Sequence, residues 1–288
     1  MTQASRSNHQ ASVAVSIIVA VKNGSATLEQ CIASALAQTD VLTEIIVVDA
    51  MSQDDTQDIV HSFGGQIAAY IREPDEGIYD AWNKALGVAT GNWCIFLGSD
   101  DYFLNAGSLA ALVRTATGPG PVPVFVHGGV LRIGGVVDYV AHPNPSDVVS
   151  FLKSGQMLPH QGTLHHLASL REVGAFDASY RIVGDFVALL GLSARGQVRR
   201  CPEVVTAMRI GGISSHWPTM RLAAREKFHA VRTAVGLMAA IRHHVIHRWP
   251  QVVGRVVEQT ALTALGPTRG TRLLICLRQN IGRPPKLI

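Results

Sequence analysis

Four short, largely apolar runs, each stopped by a polar turn, constrain this chain more than any other feature: Val15 to Val21, Glu44 to Val48, Ile67 to Ile71 and Trp93 to Leu97. Continuous apolar runs of this length suit strands covered on both faces, as in a parallel sheet. Between them, apolar residues recur at helical spacing. Leu28, Ile32, Ala35 and Leu36 form one stripe, with Ser25 or Thr27 placed to cap it. Ile59 and Val60 mark a second helix, and Trp82, Leu86 and Ala89 a third, over Ala81 to Ala89. Strands alternating with such helices predict βαβ units and a parallel sheet. The carboxyl ends of its strands then share one edge, where α/β sheets bind ligands. Acids collect on that edge: Asp49 ends the second run, and Asp100-Asp101 follow the fourth.

Two adjacent carboxylates at the lip of a buried strand are costly unless a cation sits there. Hard carboxylate oxygens suit Mg²⁺ or Mn²⁺, and such a metal would offset the charge of a diphosphate. The plainer reading is a solvated Asp-Asp turn that caps the next helix. Asp185 is a lone carboxylate in an apolar setting, Ile182-Val183-Gly184 before it and Phe186 to Leu190 after it. Such surroundings raise a carboxyl toward the range of a general base, although a helix N-cap explains the same residue.

Ordered motifs identify a resemblance. The chain resembles the bacterial inverting glycosyltransferases of family 2, which have the GT-A fold, in the branch that builds exopolysaccharide, capsule or glycolipid saccharides. The opening VSIIVAVKN, the turn IIVVDAMSQDDT, the block from Glu73 to Lys84 (EPDEGIYDAWNK) and the segment from Ala89 to Asp101 are similar to family motifs in order. So are Pro159-His160-Gln161, Gly174 to Asp177, Val183-Gly184-Asp185-Phe186 and Gly211 to Ser215. The resemblance spans about residues 13 to 215. It implies an α/β fold of GT-A type, a Rossmann-like, mostly parallel central sheet with flanking helices, to which the basic C-terminal residues are expected to add a helical extension. It implies a catalytic domain at 13–215 with donor half 13–101 and acceptor half 102–215; outside it, the composition leads one to expect a disordered N-terminus at 1–12 and a basic amphipathic helical tail at 216–288.

The implied reaction moves a sugar from a nucleotide-sugar, a UDP-sugar in the first instance, to a hydroxyl of a saccharide or lipid-linked acceptor. Asp101 would hold a divalent metal, Mn²⁺ or Mg²⁺, against the phosphates, and Asp100 would meet the ribose or share the metal. Asp49 would read the base, with Asn23, Asn83 and Lys84 lining the donor cleft. Arg72 and Asp75 would lie near the donor, or form a salt bridge with each other. Asp185 would be the general base, with His160 and Gln161 on the acceptor side. One departure stands out: the turn after Asp49 carries Ala50, Met51 and Asp55 where relatives have an acid and glycines, which predicts a less tight turn. A sugar nucleotidyltransferase would share the sheet and the metal carboxylates, but opens with a Gly-rich basic loop where this chain has Lys22-Asn23-Gly24-Ser25. A non-catalytic saccharide- or membrane-binding protein of this fold would not need Asp100, Asp101 and Asp185 together.

Charge is unevenly placed. Residues 216–288 carry twelve Lys or Arg against Glu226 and Glu258, a net +10, whereas the remainder is net −6. Apolar residues and Trp249 interleave with these charges. A basic amphipathic stretch reads as an interfacial segment drawn to an anionic membrane. The alternatives are a cap on the catalytic domain or a contact in a homodimer. No nucleic-acid-binding motif accompanies the charge. No apolar run approaches the ~18 residues that span a bilayer, and no signal peptide is visible, so the expected location is cytoplasmic, on the inner face of the membrane. Cys31, Cys94, Cys201 and Cys276 are far apart, as expected of reduced thiols. The pairs His165-His166 and His243-His244 lack the spacing of a zinc helix.

Overall fold

A computed structural model describes residues 15–135, 138–210 and 217–243. The expected N-terminal segment, the motif at 211–215, Cys276 and the tail beyond residue 243 lie outside the described residues. The chain opens with β1 (Val15–Val21), α1 (Leu28–Leu36), β2 (Thr43–Asp49) and α2 (Thr56–Ser62). Then come β3 (Ala69–Arg72), α3 (Ile78–Val88), β4 (Trp93–Gly98) and the two-residue β5 (Tyr102–Phe103). The second half holds α4 (Ser108–Ala116), β6 (Phe125–Ile133), β7 (Tyr139–Ala141), α5 (Val148–Lys153), β8 (Thr163–His166) and α6 (Leu167–Glu172). It ends on α7 (Gly184–Ser193), β9 (Val198–Arg209), α8 (Trp217–Ala234) and α9 (Leu237–His243).

One sheet runs through these elements in the order β3-β2-β1-β4-β8-β6-β9-β5, with β7 on β6. Its first four strands are parallel. The other half is mixed: β8 is antiparallel to both β4 and β6, β9 is parallel to β6, and β5 is antiparallel to β9. The expectation of a mostly parallel sheet therefore describes the donor half.

The apolar runs are continuous because each central strand feeds two cores. On one face Ile18, Ile46, Val48, Cys94 and Phe96 pack with α3, α5, α6 and α7. On the other, Val15, Ile17, Val19, Ile45, Val47, Ile95 and Leu97 pack with α1, α2 and α4. Burying side chains on both faces at roughly 1.5–3 kcal/mol each makes this sheet the stabilising centre. Register then places the chemistry: Val21 sits opposite Asp49, Asp49 opposite Arg72, and Ala20 opposite Gly98. Sequential connections leave β1 toward β2 on one side and reach β4 on the other, so this edge is the switch point of the sheet.

The helices α8 and α9 pack on the first core through Ala230, Val231 and Ala240, with Ala223 and Phe228 against it. Cys31, Cys94 and Cys201 are buried free thiols.

Asn83 ties the two halves together. Its Nδ2 donates to the Phe176 carbonyl at 2.7 Å, and the Phe176 N–H donates to its Oδ1 at 3.1 Å. Asn83→Ala should therefore lower stability by about 2–3 kcal/mol, because two backbone groups beside a buried ring lose their partners. Urea unfolding checks this, and an unchanged midpoint would show that solvent replaces both bonds.

Candidate functional site

Three loops meet at the switch-point edge, and side chains clasp them together. Asn23, at φ +52°, donates its N–H to Ser52 Oγ at 2.8 Å and accepts from the Gln53 N–H at 2.9 Å. Gly24 N–H donates to Thr56 Oγ1, and Ser25 N–H to Asp54 Oδ2. Thr27 starts α1 without a side-chain cap bond. The turn after β2 is tight despite lacking glycine. Met51 takes the left-handed region at φ +56°, which a non-glycine residue adopts only at a cost of about 1–3 kcal/mol.

Asp49 is what holds that turn. Its carboxylate is fully buried and accepts from Ser52 N–H at 2.8 Å and Tyr70 Oη at 2.9 Å, and it pairs with Arg72 Nε at 3.3 Å. Arg72 also donates to the Ser52 carbonyl at 3.0 Å. Its ion pair is thus with Asp49 rather than Asp75, whose carboxylate accepts from Gly77 N–H in a local turn. Sequence reasoning missed Tyr70, because an aromatic residue in a strand reads as core.

At the end of β4, the paired acids converge. A Cβ on Gly98 would lie 2.8 Å from Asp100 Oδ1 and 3.1 Å from Asp101 Oδ2, so both carboxylates lie over this glycine and a side chain there would push them aside. Asp101 is 3% exposed and accepts the Gly98 N–H at 2.9 Å. Burial, and then the Asp100 charge, push its carboxyl up to about 8. Arg209 braces the pair: one guanidinium nitrogen donates to the Asp100 carbonyl at 2.7 Å and the other to Gln30 Oε1, with the group 5.4 Å from the Tyr102 ring centroid. A desolvated carboxylate at Asp101 beside a second hard carboxylate at Asp100 fits a divalent cation. Among the described residues no cage of three or more His, Cys, Asp or Glu side chains exists, so such a cation would draw its further ligands from phosphate and water.

An aromatic cluster links this edge to Asp185. Trp82 packs on Phe96 of β4 at 4.9 Å and stacks on His160 at 4.9 Å, and Tyr79 stacks on Phe176 at 5.8 Å. Tyr79 Oη donates to Asp185 Oδ1 at 3.1 Å. Burial, reinforced by the Asp185 charge, holds the Tyr79 phenol far above its ordinary pKa, so it remains a donor. The Gly-Asp-Phe sequence is explained by this contact. A Cβ at Gly184 would strike the Tyr79 ring at 2.8 Å, and Phe186 fills the core behind. Asp185 occupies the first turn of α7, where helix N–H groups favour a carboxylate.

His160 is a buried ring, bonded to His165 Nε2 at 3.1 Å, and burial lowers the pKa of both. Gln161 is half-buried, and its carbonyl accepts from Thr206 Oγ1. Asn83 is committed to the Phe176 backbone, as described. Lys84 pairs with Glu73 and Asp80 and donates to the Pro74 carbonyl, closing the loop before α3. Tyr79 lies inside a quoted motif and was within reach of the sequence, whereas Arg209 meets Asp100 only across 109 positions of chain.

The description Glycosyl transferase family 2 matches residues 16–157. A PGL/p-HBAD biosynthesis glycosyltransferase of Mycobacterium bovis (strain BCG / Pasteur 1173P2) is 29% identical over 254 residues, which is 84% of this chain and 93% of that one. The Escherichia coli UDP-Glc:alpha-D-GlcNAc-diphosphoundecaprenol beta-1,3-glucosyltransferase WfaP is 40% identical over 91 residues, 31% of this chain and 36% of that one. The solved structure of mannosyltransferase PcManGT from Pyrobaculum calidifontis, in complex with GDP-Man and Mn²⁺, superposes with a TM-score of 0.62 at 18% identity, covering 94% of this chain and 76% of that one. The fold is that of the GT-A glycosyltransferases.

The raised Asp101 pKa makes a pH prediction. Its folded value lies above the ordinary 3.8, so the folded state favours the proton and loses stability as the pH rises toward 8. His127, His160 and His165, whose pKa values burial lowers, act in the opposite direction and at lower pH. In chelator, the melting temperature should fall between pH 7 and 8, Mg²⁺ should restore it, and Asp101→Asn should remove the slope. A flat profile in chelator would take the strain out of this carboxylate pair.

Proposed function

The chain belongs to glycosyl transferase family 2 through its domain at residues 16–157, and from that premise we propose an inverting transfer of a sugar from a UDP-sugar to a hydroxyl of a saccharide or lipid-linked acceptor. The observation that carries the reading is the convergence of Asp100 and Asp101 over Gly98 at the switch point, with Asp185 held by Tyr79 beyond the aromatic cluster. The E. coli relative is named for UDP-Glc and a diphosphoundecaprenol-linked acceptor, which supports both substrate classes.

The donor's nucleoside lies against the clasped loops at Asn23, Asp49 and Arg72, with Asp75 near the entrance. Asp49, fully buried, acts by holding the shape of the loop against which the base lies. Asn83 and Lys84 fix the walls of the cleft. Asp101, with Asp100, would hold Mn²⁺ or Mg²⁺, which when bound would offset the charge developing on the diphosphate leaving group. Asp185 Oδ2 accepts the acceptor's hydroxyl proton as that oxygen bonds to the anomeric carbon. The bond from this carbon to the diphosphate oxygen breaks, and the nucleoside diphosphate leaves with the electron pair. Tyr79 holds Oδ1, which fixes the carboxylate's orientation. His160, neutral in its buried site, and Gln161 border the acceptor side. A single displacement inverts the anomeric configuration.

Asp185→Asn should keep the fold and the donor affinity but lower turnover by roughly 10²–10⁴. Calorimetry with UDP-sugars in the presence of Mn²⁺, followed by turnover assays, checks this. Turnover within a few-fold of wild type would assign the base elsewhere, and a product with retained configuration would overturn the mechanism.

We also assign an anionic membrane surface as a partner of the C-terminal region. No helix among the described residues is long and apolar enough to cross a membrane. On α9, however, Leu237, Met238 and Ile241 are exposed, Met238 by 77%, and Arg232 and Arg242 are exposed in the same stretch of sequence. Full-length protein should sediment with anionic vesicles and less with neutral ones, and only part of it should be released as the Debye length falls from ~10 Å at 0.1 M salt to ~3 Å at 1 M. A variant with Leu237, Met238 and Ile241 all changed to Ser should lose the salt-resistant part. Equal recovery of both proteins would assign these residues to another surface.

A further inference from the structure

We propose that Glu226, on a helix outside the matched domain, is a positioning residue for Asp185: its carboxylate fixes the strand of backbone that presents the base. The inference rests on the reading of Asp185 as the base. Three consecutive backbone N–H groups converge on this one side chain. Arg181 N–H donates to Oε1 at 2.8 Å, Ile182 N–H to Oε2 at 2.9 Å and Val183 N–H to Oε2 at 3.2 Å. Val183 is the N-cap of α7, and its own side chain makes no cap bond. The carboxylate of Glu226 therefore satisfies, from another helix, the N-cap N–H of α7 and the two N–H groups that precede it. Bonds from N–H groups to an ionised carboxylate are about twice as strong as neutral ones.

The neighbours of Glu226 repeat the contact. Lys227 Nζ lies 4.7 Å from the centroid of the Phe186 ring, and the His229 ring is 6.3 Å from that of Tyr180. One turn of α8 thus touches Tyr180, Arg181, Ile182, Val183 and Phe186, on both sides of Asp185. Ala230 and Val231 anchor that turn in the core shared with α7. On the opposite side, Tyr79 meets Asp185 directly and packs over Gly184. The base is therefore gripped from α3 by a hydroxyl and from α8 by a backbone clamp. Removing the clamp frees the entry to α7 and lets the carboxylate drift relative to the acceptor hydroxyl. The donor loops at the other edge of the site keep their own hydrogen bonds.

Glu226→Ala should lower turnover by about ten- to a hundred-fold, the scale of an ångström-level misplacement, with the donor dissociation constant within two-fold of wild type. Glu226→Gln keeps one acceptor oxygen and should fall between the two. Val231→Ala loosens the docking of the same helix without touching the clamp. It should lose melting temperature while holding turnover within two- to three-fold of wild type. Amide exchange over residues 181–183 should quicken in Glu226→Ala and not in Val231→Ala, a readout independent of activity. If Glu226→Ala matches Val231→Ala in turnover and exchange, Glu226 is only a packing anchor and the proposal falls. If Asp185→Asn retains turnover, the base assignment fails, whereas the exchange result still decides whether the clamp exists.

Discussion

The double burial of β1, β2 and β4 is the constraint from which the rest of the structure follows. A strand covered on both faces cannot slip by one residue, because a slip would move each side chain to the other core. Polar side chains pin the same register: Ser16 Oγ donates to Glu44 on the neighbouring strand, and Glu44 also accepts from the Thr90 and Gly91 N–H groups. With register fixed, the residues at the strand ends are fixed too: Asp49, Arg72 and Gly98 reach one edge together. The costly features of the site, a buried acid, a left-handed Met51 and two crowded carboxylates, are held against this rigid sheet.

Each cost has a local answer. Asp49 is offset by Arg72, Tyr70 and the Ser52 N–H. The bend at Met51 is kept by that same carboxylate through the Ser52 N–H. The pair at Asp100 and Asp101 is answered less completely. Arg209 is spent on a carbonyl and a glutamine, and Asp101 bonds the Gly98 amide. This residual electrostatic demand marks the place where a ligand's charge has most to contribute.

How much was legible in the sequence follows from the same physics. The runs at Val15 to Val21, Glu44 to Val48 and Trp93 to Leu97 located β1, β2 and β4 to within a residue or so, because two-faced burial writes itself as uninterrupted apolar sequence. The third run was offset. Strand β3 is half-buried at the edge of the sheet, so its polar Arg72 belongs to it while Ile67 does not. Helix α3 starts at Ile78, ahead of its apolar stripe, where Gly77 at φ +135° lets the chain turn in. Acids at strand ends and Asp185 could be picked out as candidates. Their partners Tyr70, Arg209 and Glu226 could not, since each acts across a distance in sequence that periodicity does not encode. The mixed pairing of β6, β8 and β9 was hidden for the same reason.

Arg209 and β5 carry a consequence for how the protein forms. Strand β5 follows Asp101 directly, yet it pairs with Thr206 and Ala207, and Arg209 reaches the Asp100 carbonyl across 109 positions of chain. The donor half is therefore not a folding unit that can finish its own site. Its acidic lip is assembled only after a loop of about a hundred residues closes, a step whose entropic cost precedes any reward from the contact. A nascent chain that has emerged only through Asp101 holds every donor-side acid but lacks the brace that aligns them. The acids can be aligned only once residue 209 has been made.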